Sequence, residues 1–160
     1  MHEFKNRHLQ KMLTEKSTCI IGIGNPLRSD DGAGSYVCKL IEEKKIPGVT
    51  LITTHQLDIG ITEDLSKYDT VIFVDASLKE DTISFQPLSL DNDRSQSFSH
   101  RINAGMLVSL VHQLFETKTK FYICAIGVSD FEIGNGLSEK TMSNALEAFS
   151  LLITWIQTND

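Results

Sequence analysis

Cysteine is scarce in this chain: three residues among 160, an odd number, with no Cys-x-x-Cys pair. That excludes a disulfide framework and a structural zinc site built on thiolates. Cys19 and Cys124 fall in apolar strand-like runs and Cys38 in a helical stretch, so all three read as buried thiols. Clustered positive charge is also missing. No group of lysines and arginines exceeds a pair, and the net charge is −6, which argues against nucleic acid as a partner. No apolar run approaches the roughly 18–20 residues that a membrane span requires. The first residues carry His, Lys and Glu but no apolar core of a secretory signal, so a cytoplasmic location is expected. Neither His-Glu-x-x-His nor Gly-x-Ser-x-Gly occurs, which removes the usual signatures of zinc proteases and serine hydrolases. Repeats, low-complexity tracts and linkers are lacking as well. What remains is one globular domain with enough apolar residues for a real core.

The stretch that organises the chain is Ile20 to Gly34. Cys19 to Ile23 is a short apolar run with β-branched residues, the pattern of a strand covered on both faces. Gly22 and Gly24 permit conformations or close approaches that a Cβ would block, and Pro26 ends the strand. A helical pattern starts around Asp31, with Gly34, Val37, Leu40 and Ile41 on one face. A dinucleotide cradle does not fit this turn. Gly22-x-Gly24 is followed at the third-glycine position by Leu27, and Asp30 and Asp31 would repel a phosphate. Two readings stay open for the aspartates: helix capping, or a carboxylate acting as ligand or acid–base group with partners elsewhere.

The rest of the chain supplies candidates. Residues 1–17 form a polar N-terminal extension ahead of a domain spanning 18–160. Val49 to Thr54 reads as a second strand, and Ile61 to Ser66 as a short helix. Val71 to Val74 is the most strand-like run, closed by Asp75-Ala76-Ser77. Ile83 to Leu88 alternates like an antiparallel edge strand. Asp91 to Asn103 is a polar loop containing His100, and loops of about a dozen residues are often functional. Asn103 is placed to cap a helix with the stripe Leu107, Leu110, Val111 and Leu114. Phe121 to Val128 is the last strand. Ser138 opens a terminal helix with Met142, Ala145, Leu146, Phe149, Ile153 and Ile156 at helical spacing.

Strands alternating with helices predict a single three-layer α/β domain with helices on both faces of a mostly parallel, twisted five-stranded sheet. The expected order is 2-1-3-5-4, with one antiparallel edge strand. Strands 1 and 3 are then neighbours, and Asp31 and Asp75 meet at the carboxyl edge, where open α/β sheets place their ligands. A histidine can complete the set. His112 lies off its helix's apolar stripe and reads as a surface residue, whereas His55 and His100 both remain candidates. Two carboxylates and an imidazole suit a divalent nickel, zinc, iron or manganese ion.

The stretch Gly22-Ile23-Gly24-Asn25-Pro26-Leu27-Arg28-Ser29-Asp30-Asp31-Gly32-Ala33-Gly34 resembles the signature of the [NiFe]-hydrogenase maturation endopeptidases. Thr54 to Leu57, Val71 to Ser77 and Gly127 to Ser138 resemble further segments of that family, and the likeness covers roughly residues 18–157. The resemblance implies a single α/β domain and a metal-recognising set at Asp31, Asp75 and His100. Some members carry glutamate where Asp31 stands, so the reach here is shorter by one methylene. It also implies an activity: removal of the C-terminal peptide from the precursor of a hydrogenase large subunit after its metals are loaded. The nickel then belongs to the substrate, and another divalent metal can take its place. No nucleophile is assigned. Asp31 or Asp75 is the candidate general base towards water. Two rivals use the same residues: a non-catalytic nickel-recognition or chaperone protein, and a small-molecule hydrolase or nucleotide binder on a shared fold.

Overall fold

The computed structural model of the protein describes residues 16–88, 103–129 and 131–159. Five strands are present: β1 (Thr18–Ile23), β2 (Val49–Thr54), β3 (Thr70–Ser77), β4 (Ile83–Pro87) and β5 (Lys120–Gly127). The helices are α1 (Ala33–Glu42), α2 (Thr62–Leu65), α3 (Ala104–Leu114) and α4 (Glu139–Asn159). The sheet order is β2-β1-β3-β5-β4, as expected. β1 runs parallel to β2 and β3, and β3 parallel to β5, while β4 is antiparallel to β5. Pro87 sits at the end of this edge strand, where a missing N–H costs the ladder nothing.

The side-chain period of two divides each central strand between two cores. Ile20, Ile72, Val74, Cys124 and Ile126 face α1 and α4. Cys19, Ile21, Ile23, Val71, Phe73 and Phe121 face α3 and the short α2, through Leu107, Val108, Val111 and Leu65. That two-sided burial is why β1 and most of β3 read as unbroken apolar runs. Gly22 and Gly34 let α1 lie close on the sheet. A Cβ at Gly22 would stand 2.6 Å from the Gly34 carbonyl oxygen, and one at Gly34 would collide with the Val74 carbonyl.

Several local expectations shift in register. The helix expected from Asp31 begins instead at Ala33, after a 3-10 turn over Ser29–Gly32. Asn103 does cap α3, its Oδ1 accepting the Met106 N–H at 2.8 Å. The buried stripe of α3 is Ala104, Leu107, Val108 and Val111, whereas Leu114 is 63% exposed at the far end. In α4 the buried face is Thr141, Asn144, Ala145, Ala148, Leu152 and Ile156, which leaves Leu146 in solvent. Asn144 is buried because its amide donates to the carbonyls of Gly127 (2.8 Å) and Asp81 (3.1 Å). Satisfying those acceptors outweighs the usual preference of asparagine for water.

Of the expected extension, only Lys16 and Ser17 fall among the described residues. The Ser17 N–H donates to Asp69 at 2.8 Å, tying it to the start of β3. No helix among the described residues is long and apolar enough to cross a membrane.

Candidate active site

β1 and β3 are neighbours whose onward connections leave towards opposite edges, β1 to β2 and β3 to β4. Such a switch point opens a crevice at the carboxyl ends of the strands. The register shows where it opens. Pairing between β1 and β3 stops at Gly22 and Val74, but β3 stays paired with β5 as far as Ser77 and Gly127. Asp75 therefore lies within β3, not after it. It is opposed by Ala125 on one side, at the point where β1 peels away on the other.

The chain leaving β1 turns at Gly24, whose φ of +130° strains any other residue. A Cβ there would also fall on the Asp31 carbonyl oxygen, so only glycine brings the two ends of the turn together. The Gly24 N–H donates to Thr54 at 2.9 Å, joining the turn to the end of β2. The Asp31 carboxylate accepts the Asn25 N–H at 2.8 Å, which fixes its position across the turn.

Asp31 and Asp75 line one cleft of about 330 Å³. Its walls are Gly24 from the turn, His55 and Gln56 after β2, Ala76 of β3, and Asn103 with Ala104 at the start of α3. Burial pushes the Asp75 carboxyl up to about 6. The Ala76 N–H works against that rise, and the nearby Asp31 charge adds to it. Two carboxylates in this relation can meet a cation presented from outside. One can also take a proton from water.

The histidines divide differently. His55 is exposed on a wall of the cleft. His112 is a surface residue whose ring packs edge-on against Phe121 at 5.6 Å, and it does not line the cleft. His100, with the polar loop before Asn103, lies outside the described residues. Among those described, no group of three His, Cys, Asp or Glu side chains is arranged to hold a metal ion. A larger groove of about 670 Å³ runs between β4 and α4, but among the described residues Glu147 is the one ionisable side chain lining it, so these supply no acid–base pair.

Sequence reasoning left Asp30 as one of two interchangeable capping or ligand aspartates. It is neither. Asp30 is fully buried and accepts hydrogen bonds from the Ser138 N–H (2.7 Å), the Ser138 hydroxyl (2.9 Å) and the Ser129 N–H (3.1 Å). Burial alone would raise its pKa, but these donors outweigh it and hold the carboxyl below its usual range. The available signal was the Gly127 to Ser138 segment, which resembled the family but carried no assigned role.

Comparison of the sequence with protein-family models and with curated proteins finds no match. Solved structures do match. The hydrogenase maturating endopeptidase HybD from E. coli aligns over 89% of this chain and 93% of its own, with a TM-score of 0.72 and 16% identity. The [NiFe] hydrogenase maturation protease HycI from Thermococcus kodakarensis aligns over 94% and 99%, with a TM-score of 0.71 and 22% identity. A hydrogenase 2 maturation peptidase from a Thaumarchaeota archaeon aligns over 89% and 99%, with a TM-score of 0.66 and 23% identity. At these identities the likeness is one of architecture: the chain has the fold of the hydrogenase maturation endopeptidases, the family that its motifs resemble.

Proposed function

We propose that this protein is an endopeptidase that removes the C-terminal peptide from the nickel-loaded precursor of a [NiFe]-hydrogenase large subunit. The observation that carries this reading is the pairing of Asp31 and Asp75 in one cleft at the switch point of that fold. Asp31, Asp75 and His100 recognise the nickel, which arrives as part of the substrate. Two hard oxygen donors without a thiolate are a modest set for retaining such an ion, and a better one for completing the coordination of an ion held by a partner's cysteines. Selectivity follows from charge. A precursor without metal leaves two carboxylates facing each other with no cation between them, whereas the loaded precursor relieves that repulsion on docking. One of the carboxylates then serves as general base towards the water that attacks the scissile peptide.

The test is a cleavage assay on the cognate precursor, with and without nickel. The wild-type chain is expected to shorten only the nickel-loaded form. Asp31→Asn and Asp75→Asn should each lower the rate by about a hundredfold or more, the scale for losing a positioned acid–base group. Equal cleavage of the metal-free precursor, or full activity in both variants, would overturn the reading. Stoichiometric binding of the precursor with no shortened product would point to a nickel-recognition protein instead.

A further inference from the structure

Asp30 occupies the turn that carries Asp31 but faces away from the cleft, into the fold. Its carboxylate gathers Ser129, just beyond β5, and Ser138, at the start of α4. The same neighbourhood is joined a second time through the backbone. The Ser29 N–H donates to Gly134 at 2.9 Å, and the Gly134 N–H donates to Leu27 at 3.1 Å. The 131–137 segment is thus strapped against the outside of the turn.

The turn needs that strap. Ser29 has a φ of 46°, in the left-handed region, where a residue with a Cβ is held only if its surroundings over-determine it. On the cleft side, the Asp31 carboxylate is held by the Asn25 N–H, at the other end of the same turn. If the turn relaxes, that bond and the direction of the Asp31 carboxylate change together. Asp75 is different, because it stands on a strand paired through to Ser77. Of the two cleft carboxylates, one is placed by the sheet and the other by a strained turn with a buried anchor behind it.

We infer that Asp30 is a positioning residue: through its bonds to Ser129 and Ser138 it sets the Asp31 carboxylate in the cleft opposite Asp75. In its catalytic consequence this rests on the proposed endopeptidase function. The geometric claim does not.

The test joins a spectroscopic readout to an activity readout in Asp30→Asn, with Ser138→Ala as a milder second variant. The amide resonance of Asn25 reports the Asp31 carboxylate directly. In Asp30→Asn that resonance should shift and lose its protection from hydrogen exchange, the change also expected in Asp31→Asn. Ser138→Ala should move it the same way by a smaller amount. If only the Ser129 and Ser138 amides respond and Asn25 stays as in the wild type, Asp30 merely anchors α4 and the inference fails. Should Asp30→Asn not fold, Ser138→Ala decides by the same resonance. In the cleavage assay, Asp30→Asn should lower kcat/KM for the nickel-loaded precursor about tenfold, the scale of a misplaced reacting group, and a wild-type kcat/KM would overturn the inference. A wild-type chain that cleaves nothing would count against the proposed function, while the Asn25 resonance would still judge Asp30.

Discussion

Asp30 is fully buried and Asp75 half-buried at the cleft, yet burial leads to opposite outcomes because only Asp30 is surrounded by donors. Asp75 has a folded pKa of about 6 against its usual 3.8. The sign follows from linkage: a carboxyl raised on folding makes the native state lose stability as pH climbs from 3.8 to 6. About two pKa units correspond to at most about 3 kcal/mol. In metal-free buffer at pH 7, Asp75→Asn is therefore expected to be the more stable protein, by about 1–3 kcal/mol. The gain should vanish below pH 3.8, where Asp75 is protonated in both states. Asp30 has the reverse linkage: its stabilisation is present above the unfolded pKa and is lost as pH falls through the lowered folded value. Asp30→Asn should cost about 1–3 kcal/mol at neutral pH, and less in acid. Urea titrations of both variants across pH check the pair, and parallel curves would refute the assignment. Nothing local in the sequence separates Asp30 from Asp31 or predicts these signs. The partners that decide the matter are 99 and 108 residues away.

At the scale of elements, legibility followed burial on two faces. β1 and β3 were readable as apolar runs, and their neighbouring positions followed from alternating strands and helices. The helices were readable in extent but not in rotation. Apolar residues spread around α4, so neighbouring choices of stripe score alike, and only the acceptors at Gly127 and Asp81 turn Asn144 inward. The glycine-rich start of α1 offers a sharp test of which effect governs an element. Helix propensity favours Gly34→Ala by about 1 kcal/mol. The added methyl would strike the carbonyls of Val74 and Ile23, and overpacking of this kind typically costs about 1–3 kcal/mol. Packing should win. The expected result is a net loss of stability by thermal melting, with reduced activity because the carboxyl edge is forced apart. An unchanged or higher melting temperature would show that α1 can slide on the sheet.

For the molecule as a whole, the two cores enclose all three cysteines, and burial pushes each thiol up to about 12. The native protein should therefore leave a thiol-reactive dye unconsumed, and release three equivalents only on unfolding. Early reaction of one would locate an opening in the sheet. The cleft has a related dependence on completeness. Its walls come from residues 23–24, 31, 55–57, 75–76, 103–104 and 123, so almost the whole chain must be threaded into place before the two carboxylates meet. Parallel strands with long crossovers assemble slowly, because loop closure is paid before the contacts form. A chain still emerging from synthesis, or one unravelling at the β2 edge of the sheet, carries both aspartates but lacks walls of the cleft. An intact cleft therefore requires that the sheet has closed up as far as β5, which contributes Ile123 to its wall.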